Sequence, residues 1–139
     1  MKQAQHRLVI RTNGQELYEI TGAITGWLRN QNISQGLLTV FCRHTSASLT
    51  IQENADPDVR ADSLSYFGRA VEEDPDLYLH GSEGPDDMPA HIRSALTDVS
   101  LNIPVDGGRL VLGTWQGVYV FEHRHQPQSR QIVLHLMGL

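Results

Sequence analysis

Turn-forming residues cut this chain into short apolar runs, and that punctuation limits the folds open to it. Asn13-Gly14 separates two strand-like runs, residues 6–12 and 16–20. An Asn-Gly pair favours a tight hairpin because a type I′ turn needs positive φ at both central positions. Asp106-Gly107-Gly108, Gln116-Gly117 and Gln126-Pro127-Gln128 repeat the device between the runs 101–105, 110–115, 118–122 and 132–137. Runs 37–43 and 48–52 add two more strands. Connections this short bring neighbouring strands together antiparallel, whereas parallel winding needs a crossover of a dozen residues or more.

Helical signals interrupt the strands. Thr21 is placed to cap a first helix, and Ile24, Trp27 and Leu28 recur at helical spacing toward Asn32. Asp56-Pro57 starts a second, because Asp caps and Pro fits a first position whose N–H has no partner. Val59, Leu64, Phe67 and Val71 give it an apolar face, and Glu72-Glu73-Asp74-Pro75 ends it. A third helix is expected from Pro89, with Ile92, Leu96 and Val99 inward. The expected fold is one α+β domain over residues 1–139, mostly antiparallel β, a distorted sandwich-like sheet with about three helices.

Composition narrows the partners. The net charge is −5 and no basic run occurs, which argues against nucleic acid, whose phosphates require clustered Lys and Arg. The single cysteine, Cys42, cannot form an intrachain disulfide. It stands two residues before His44, inside a strand, and is expected in the core. The N-terminus lacks a signal-peptide core, and no apolar run reaches the roughly 18 residues of a membrane helix. A cytoplasmic protein without a membrane partner is expected.

Chemistry concentrates in four places. Residues 76–88 have no period and are rich in Gly, Pro and acids; so long a loop in a small domain points to function. Within it, Glu83, Asp86 and Asp87 lie between His80 and His91, more acid than one helix cap needs. His44 ends a strand beside Thr45, Ser46 and Ser48. Gly113-Thr114-Trp115-Gln116-Gly117 joins two strands, and Glu122-His123-Arg124 closes one. Strand alternation sends Glu122 and Arg124 to one face and His123 to the other. No HExxH, CxxC, GxSxG or phosphate-binding glycine loop is present, so zincin, serine-hydrolase and standard nucleotide sites lack their signatures.

The blocks HTSASLTIQENADPDVRAD (44–62), YLHGSEGPDDMPAHIRSAL (78–96) and SLNIPVDGGRLVLGTWQGVYVFEHR (100–124), in this order, resemble the YjbQ-like family, described as the secondary thiamine-phosphate synthase group. The match covers residues 37–137, and the polar motif residues include Asp56, Asp58, Asp86 and Glu122 besides those assigned below. The segment 125–130 after Arg124 differs and is expected to be a variable turn.

The resemblance implies a homotrimer and an activity that joins a pyrimidine methyl pyrophosphate to a thiazole phosphate with release of pyrophosphate. It implies catalytic roles for His44, Asp87, His91 and His123. Thr45, Ser46, Glu53, Thr114, Gln116 and Arg124 would bind the phosphate-bearing small-molecule substrate. A divalent metal would be held by His44, His80 and His91 with Asp87 or Glu83, a set that suits a zinc-like ion. Mg²⁺ would instead be held by Asp86, Asp87 and substrate oxygens. The alternatives are a trimeric metal- or small-ligand-binding protein without a catalytic role, or an interaction protein whose pocket residues are structural.

Overall fold

The strands pair antiparallel throughout, as the short connections require. The structure, a computed structural model, describes residues 1–139. In chain order the elements are β1 (Lys2–Asn13), β2 (Glu16–Glu19), α1 (Thr21–Leu28), β3 (Gly36–Cys42), β4 (Ala47–Glu53) and α2 (Pro57–Ala70). A 3₁₀ turn (Pro75–Leu77) precedes α3 (Asp87–Leu96), β5 (Ser100–Asp106), β6 (Arg109–Leu110), β7 (Gln116–Glu122) and β8 (Pro127–Gly138). Two curled sheets result, ordered β1-β8-β3-β5-β6 and β2-β7-β4, and the fold is α+β.

The main core lies between the sheets. Leu38 and Val40 of β3, Ile103 and Val105 of β5, and Ile132, Leu134 and Leu136 of β8 meet Ala47, Leu49, Val118 and Val120 of the smaller sheet. Each set follows the two-residue period of a strand. Ile24 and Leu28 bring α1 onto this core, and Cys42 belongs to it as expected. On the outer face of the smaller sheet, Leu17, Tyr119 and Phe121 pack against Leu64 and Phe67 of α2. β7 is therefore covered on both faces, which explains its unbroken apolar run from Val118 to Phe121.

The structure corrects several local expectations. The strand expected over 110–115 stops after Leu110. Val111 still donates to the Pro104 carbonyl, but Pro104 has no N–H to return, so the ladder ends there. Thr21 makes no cap: the cap residue is Ile20, and the Thr21 hydroxyl donates to Glu19 and accepts the Val118 N–H. The Asp56 cap forms as expected, accepting from Asp58 N–H at 2.9 Å. α3 starts two residues early, at Asp87, and its buried side is Asp87, Ala90 and Arg93, while Leu96 and Val99 are exposed. Asp87 and Arg93 can face inward because opposite charges meet them there, Arg124 on Asp87 and Glu73 on Arg93.

Close approach of two backbones fixes the register at the end of the large sheet. Gly36 pairs with Gly138, and a Cβ on Gly36 would strike the Met137 carbonyl oxygen. Gly36→Ala is expected to lower the unfolding free energy by about 1–3 kcal/mol in urea denaturation. Unchanged stability would reject this register.

Candidate metal centre

α3 begins where the acid-rich loop ends. Asp86 stands at its cap position and Asp87 in its first turn, yet neither carboxylate caps the helix. Both turn to Arg124, which leaves β7 at its C-terminal end. Arg124 donates from Nε to Asp86 Oδ2 at 3.0 Å, from Nη1 to Asp87 Oδ1 at 2.9 Å, and from Nη2 to the Glu83 carbonyl at 3.0 Å. One guanidinium thus holds the loop and the helix start together, using the planar fork that suits carboxylates. His125 N–H adds a bond to Asp86 Oδ2 at 3.0 Å, and the His125 ring meets Glu73 at 2.8 Å. The segment expected to be a variable turn therefore helps to build the site.

The second oxygen of Asp87 faces two imidazoles. His80 Nε2 lies 2.7 Å and His91 Nε2 3.3 Å from Asp87 Oδ2. One donor atom from each of the three residues lies within 4.8 Å of the others, close enough to hold one ion. Asp87 is buried, His80 is 46% exposed and His91 31%, so solvent reaches the cluster from the imidazole side. Burial by itself would raise the Asp86 and Asp87 carboxyls, but the Arg124 contact on Asp86 and the His80 bond and Arg124 charge on Asp87 hold both below the usual carboxylate range.

His91 adds a constraint. Its Nδ1 is 2.9 Å from the Thr45 carbonyl oxygen, which can only accept, so Nδ1 carries the proton. In a neutral ring Nε2 is then a bare acceptor facing another acceptor, Asp87 Oδ2. A second proton or a cation between them removes that conflict. A ring whose other nitrogen donates to a carbonyl is the arrangement of a metal-bound histidine.

His44 does not join this cluster. Its Nε2 accepts the Gln131 backbone N–H at 2.8 Å, so Nδ1 carries the proton and no lone pair is left for a metal or for proton abstraction. Burial and the Arg130 charge push its pKa down and keep it neutral. Thr45 meets His91 only through its backbone oxygen. Glu83 is exposed, outside the cluster, with its carboxylate 3.8 Å from Arg124. Arg124, expected on substrate phosphate, is committed to protein carboxylates.

His123, expected to be catalytic, is buried beside Phe121, with ring centroids 4.4 Å apart. Its Nε2 is 2.8 Å from Ser48 Oγ, and Thr97 Oγ1 is 2.6 Å from the same hydroxyl. No substrate-sized space adjoins it: the neighbouring hollow is about 10 Å³, room for one water. Ser46, through Oγ and its carbonyl, accepts from Arg130.

Glu53, Thr114 and Gln116 are not brought to the cluster within the subunit. Glu53 pairs with Gln116 at one end of the β4–β7 ladder, and Ala47 with Glu122 at the other. Six residue steps of strand separate these ends by about 20 Å. Glu53 Oε2 accepts the Asp56 N–H, Gln116 Oε1 accepts the Gly113 N–H, and Thr114 is exposed.

Sequence reading missed Glu73, Arg93 and Arg130. Arg130 had a signal: on β8 it shares the parity of Ile132, Leu134 and Leu136, which are all buried. Glu122 likewise shares the parity of Val118 and Val120. Two charges at inward positions of facing sheets imply an ion pair, and Arg130 does bind Glu122.

A sequence model of the UPF0047 YjbQ-like proteins matches residues 6–139. The chain belongs to the UPF0047 YjbQ-like family. It is 52% identical over 137 residues to a UPF0047 protein of Synechocystis, covering 99% of this chain and 93% of the other. It is 41% identical to the UPF0047 protein YjbQ of Escherichia coli O157:H7, covering 96% of this chain and 97% of that one. A crystal structure of a YjbQ/UPF0047 family protein from Clostridium acetobutylicum superposes with a TM-score of 0.84 at 34% identity, covering 96% and 99%. A conserved hypothetical protein from Thermus thermophilus gives 0.85 at 32%, covering 95% and 99%. No helix of this UPF0047 chain is long and apolar enough to cross a membrane.

The charges around the UPF0047 cluster lead to measurable effects. Arg124→Met leaves the buried Asp86 and Asp87 without their cation and is expected to cost about 3–5 kcal/mol in urea unfolding. A loss below the error of the measurement would show that Arg124 does not hold the loop. His123 titrates at about 3, lowered mainly by burial and then by the Arg93 and Arg130 charges. An unfolded histidine titrates near 6.5, so the unfolded chain binds more protons between about pH 6.5 and 3. Stability from neutral His123 is therefore present above that window and lost as pH falls through it, by at most about 1.4 kcal/mol per pH unit. Urea unfolding between pH 7 and 5 should fall more steeply for the wild type than for His123→Gln; equal slopes would refute this.

Proposed function

We propose that this protein is a metal-dependent transferase with thiamine-phosphate synthase-like activity, in which His80, Asp87 and His91 hold the ion. The reaction would join a pyrimidine methyl pyrophosphate to a thiazole phosphate and release pyrophosphate. The observation behind the metal site is the His91 ring, whose Nδ1 is fixed on Thr45 while bare Nε2 points at Asp87 Oδ2. Two imidazoles and one carboxylate favour a zinc-like ion over Mg²⁺, which prefers oxygen ligands. Asp86 also fits Mg²⁺ poorly, because Arg124 and the His125 N–H already occupy its oxygens.

The chain's residues would act by position. Arg124 fixes Asp87 Oδ1, so Oδ2 is held toward the imidazoles. Thr45 fixes the tautomer and plane of His91. His80 is the most exposed of the three and lies on the side from which substrate would approach. A bound divalent ion would stabilise negative charge developing on the departing pyrophosphate. Assembly as a homotrimer is part of the same proposal, since it would add groups from a neighbouring subunit.

A metal- or ligand-binding protein without turnover is the second reading. It is favoured by Arg124, the nearby cation, being engaged by Asp86 and Asp87 rather than free for a substrate. Elemental analysis of tag-free protein should give about one metal per chain, lost in His80→Ala and His91→Ala but kept in His44→Ala. Absence of metal after reconstitution with zinc, cobalt and manganese would reject the site. Pyrophosphate release abolished by Asp87→Ala would support the transferase; a metal-loaded protein that releases none from these substrates would leave the binding reading in its place.

A further inference from the structure

Arg7, Arg11, Arg29 and Arg109 are the basic side chains that make no hydrogen bond or ion pair. The others are engaged, from Lys2 on the Asn32 carbonyl to Arg130 on Glu122. Two of these four free guanidiniums, Arg29 and Arg109, line one cavity of about 570 Å³. A second hollow of about 380 Å³ shares Arg29, Gly107 and Gly108 with it, so the two form one continuous cleft. In a chain of net charge −5, unpaired cations gathered at a concave surface run against the general field.

Local structure explains the gathering. Thr21, Thr25 and Arg29 follow one another at four-residue spacing, which lines them up along one side of α1 and its C-cap. Opposite them, β5 and β6 are joined by the tight turn Asp106–Arg109. Gly107 and Gly108 have φ of 58° and 74°, the positive values that a type I′ turn requires. The turn therefore carries no side chain into the cleft until Arg109. No carboxylate lines the cavity, the Thr25 hydroxyl is unengaged, and Leu110 and Leu112 supply an apolar wall.

We infer that this cleft binds a phosphate-bearing small molecule, with Arg29 and Arg109 on its anionic oxygens, Thr25 as a further donor and the leucines against its organic part. Guanidinium forks suit phosphate, and the volume is that of a small-ligand pocket. The cleft lies at the Val118 end of β7, because Ile20 N–H donates to the Val118 carbonyl and Val118 N–H to Thr21. That is the end holding Gln116 and Glu53, away from the His80, Asp87 and His91 cluster. The site stands independently of any metal there.

The test is calorimetric titration of the full chain with inorganic pyrophosphate, chelator present to silence metal-bridged binding. Saturable binding is expected in the wild type and in His91→Ala, weakened about tenfold or more in Arg29→Gln and in Arg109→Gln. Both side chains are exposed, and circular dichroism would verify folding. On wild-type protein alone, pyrophosphate should protect Arg29 and Arg109, but not Arg7 or Arg11, from phenylglyoxal, read by mass spectrometry. The inference is overturned by no saturable binding in the wild type, by unchanged affinity in Arg29→Gln and Arg109→Gln, or by a lack of selective protection. It is equally overturned if the variants dissociate an assembly while the wild type binds no pyrophosphate, since the arginines would then be filled by a second copy.

Discussion

The Glu122 carboxylate has no exposed surface and sits where the two sheets meet. Arg130 of β8 binds both its oxygens, from Nε at 2.7 Å to Oε1 and from Nη2 to Oε2. Thr12 of β1 donates to Oε1 at 2.7 Å, and the backbone N–H groups of His123 and Arg124 donate to Oε2. A buried charge survives only when its desolvation is met by a counter-charge and by filled lone pairs, and both conditions are satisfied here. Replacing only one partner would strand the other, so the pair constrains geometry more than it adds stability.

That constraint decides where the candidate centre lies. Because Glu122 draws in the next two backbone N–H groups, the chain turns as it leaves β7, sending His123 inward and Arg124 toward α3. Arg124 then gathers Asp86, Asp87 and the Glu83 carbonyl, which fixes how Asp87 faces His80 and His91. Arg130 also holds Ser46, in the same turn as the Thr45 carbonyl that orients His91. A chain of polar contacts thus runs from the sheet junction to the imidazoles. The opposite end of β7 has different chemistry: two unpaired arginines over glycine backbone. An acid-anchored imidazole cluster and a cleft lined by two arginines occupy opposite ends of the smaller sheet.

Much of this architecture was legible along the chain. Tight turns and two-residue apolar alternation implied antiparallel strands, and Asp56-Pro57 marked the start of α2, because those signals depend on neighbours a few residues away. The motif blocks containing His44–Ser46, 78–96 and 122–124 lie side by side in the fold. They meet in different ways: Thr45 contributes a carbonyl, His44 spends its lone pair on Gln131, and Arg124 serves carboxylates of its own chain. Gly113–Gly117 and Glu53 stay at the other end of the sheet. The inward face expected for α3, Ile92, Leu96 and Val99, differs from the observed one because Asp87 and Arg93 take buried positions against Arg124 and Glu73, and nothing nearby in sequence reveals those partners.

By itself, the sequence determined what local sterics and periodicity can determine: most strand positions, antiparallel pairing, the apolar faces of the strands, and the supply of imidazoles and carboxylates between residues 80 and 91. Tertiary structure alone decided which of those groups keep a free lone pair and which are consumed by the fold. The reason is that a lone pair or a charge is committed by whichever partner lies within about 3 Å. For His44 Nε2, His91 Nδ1, Asp87 Oδ1 and the Arg124 guanidinium, those partners come from elements 37 to 87 residues away in the chain.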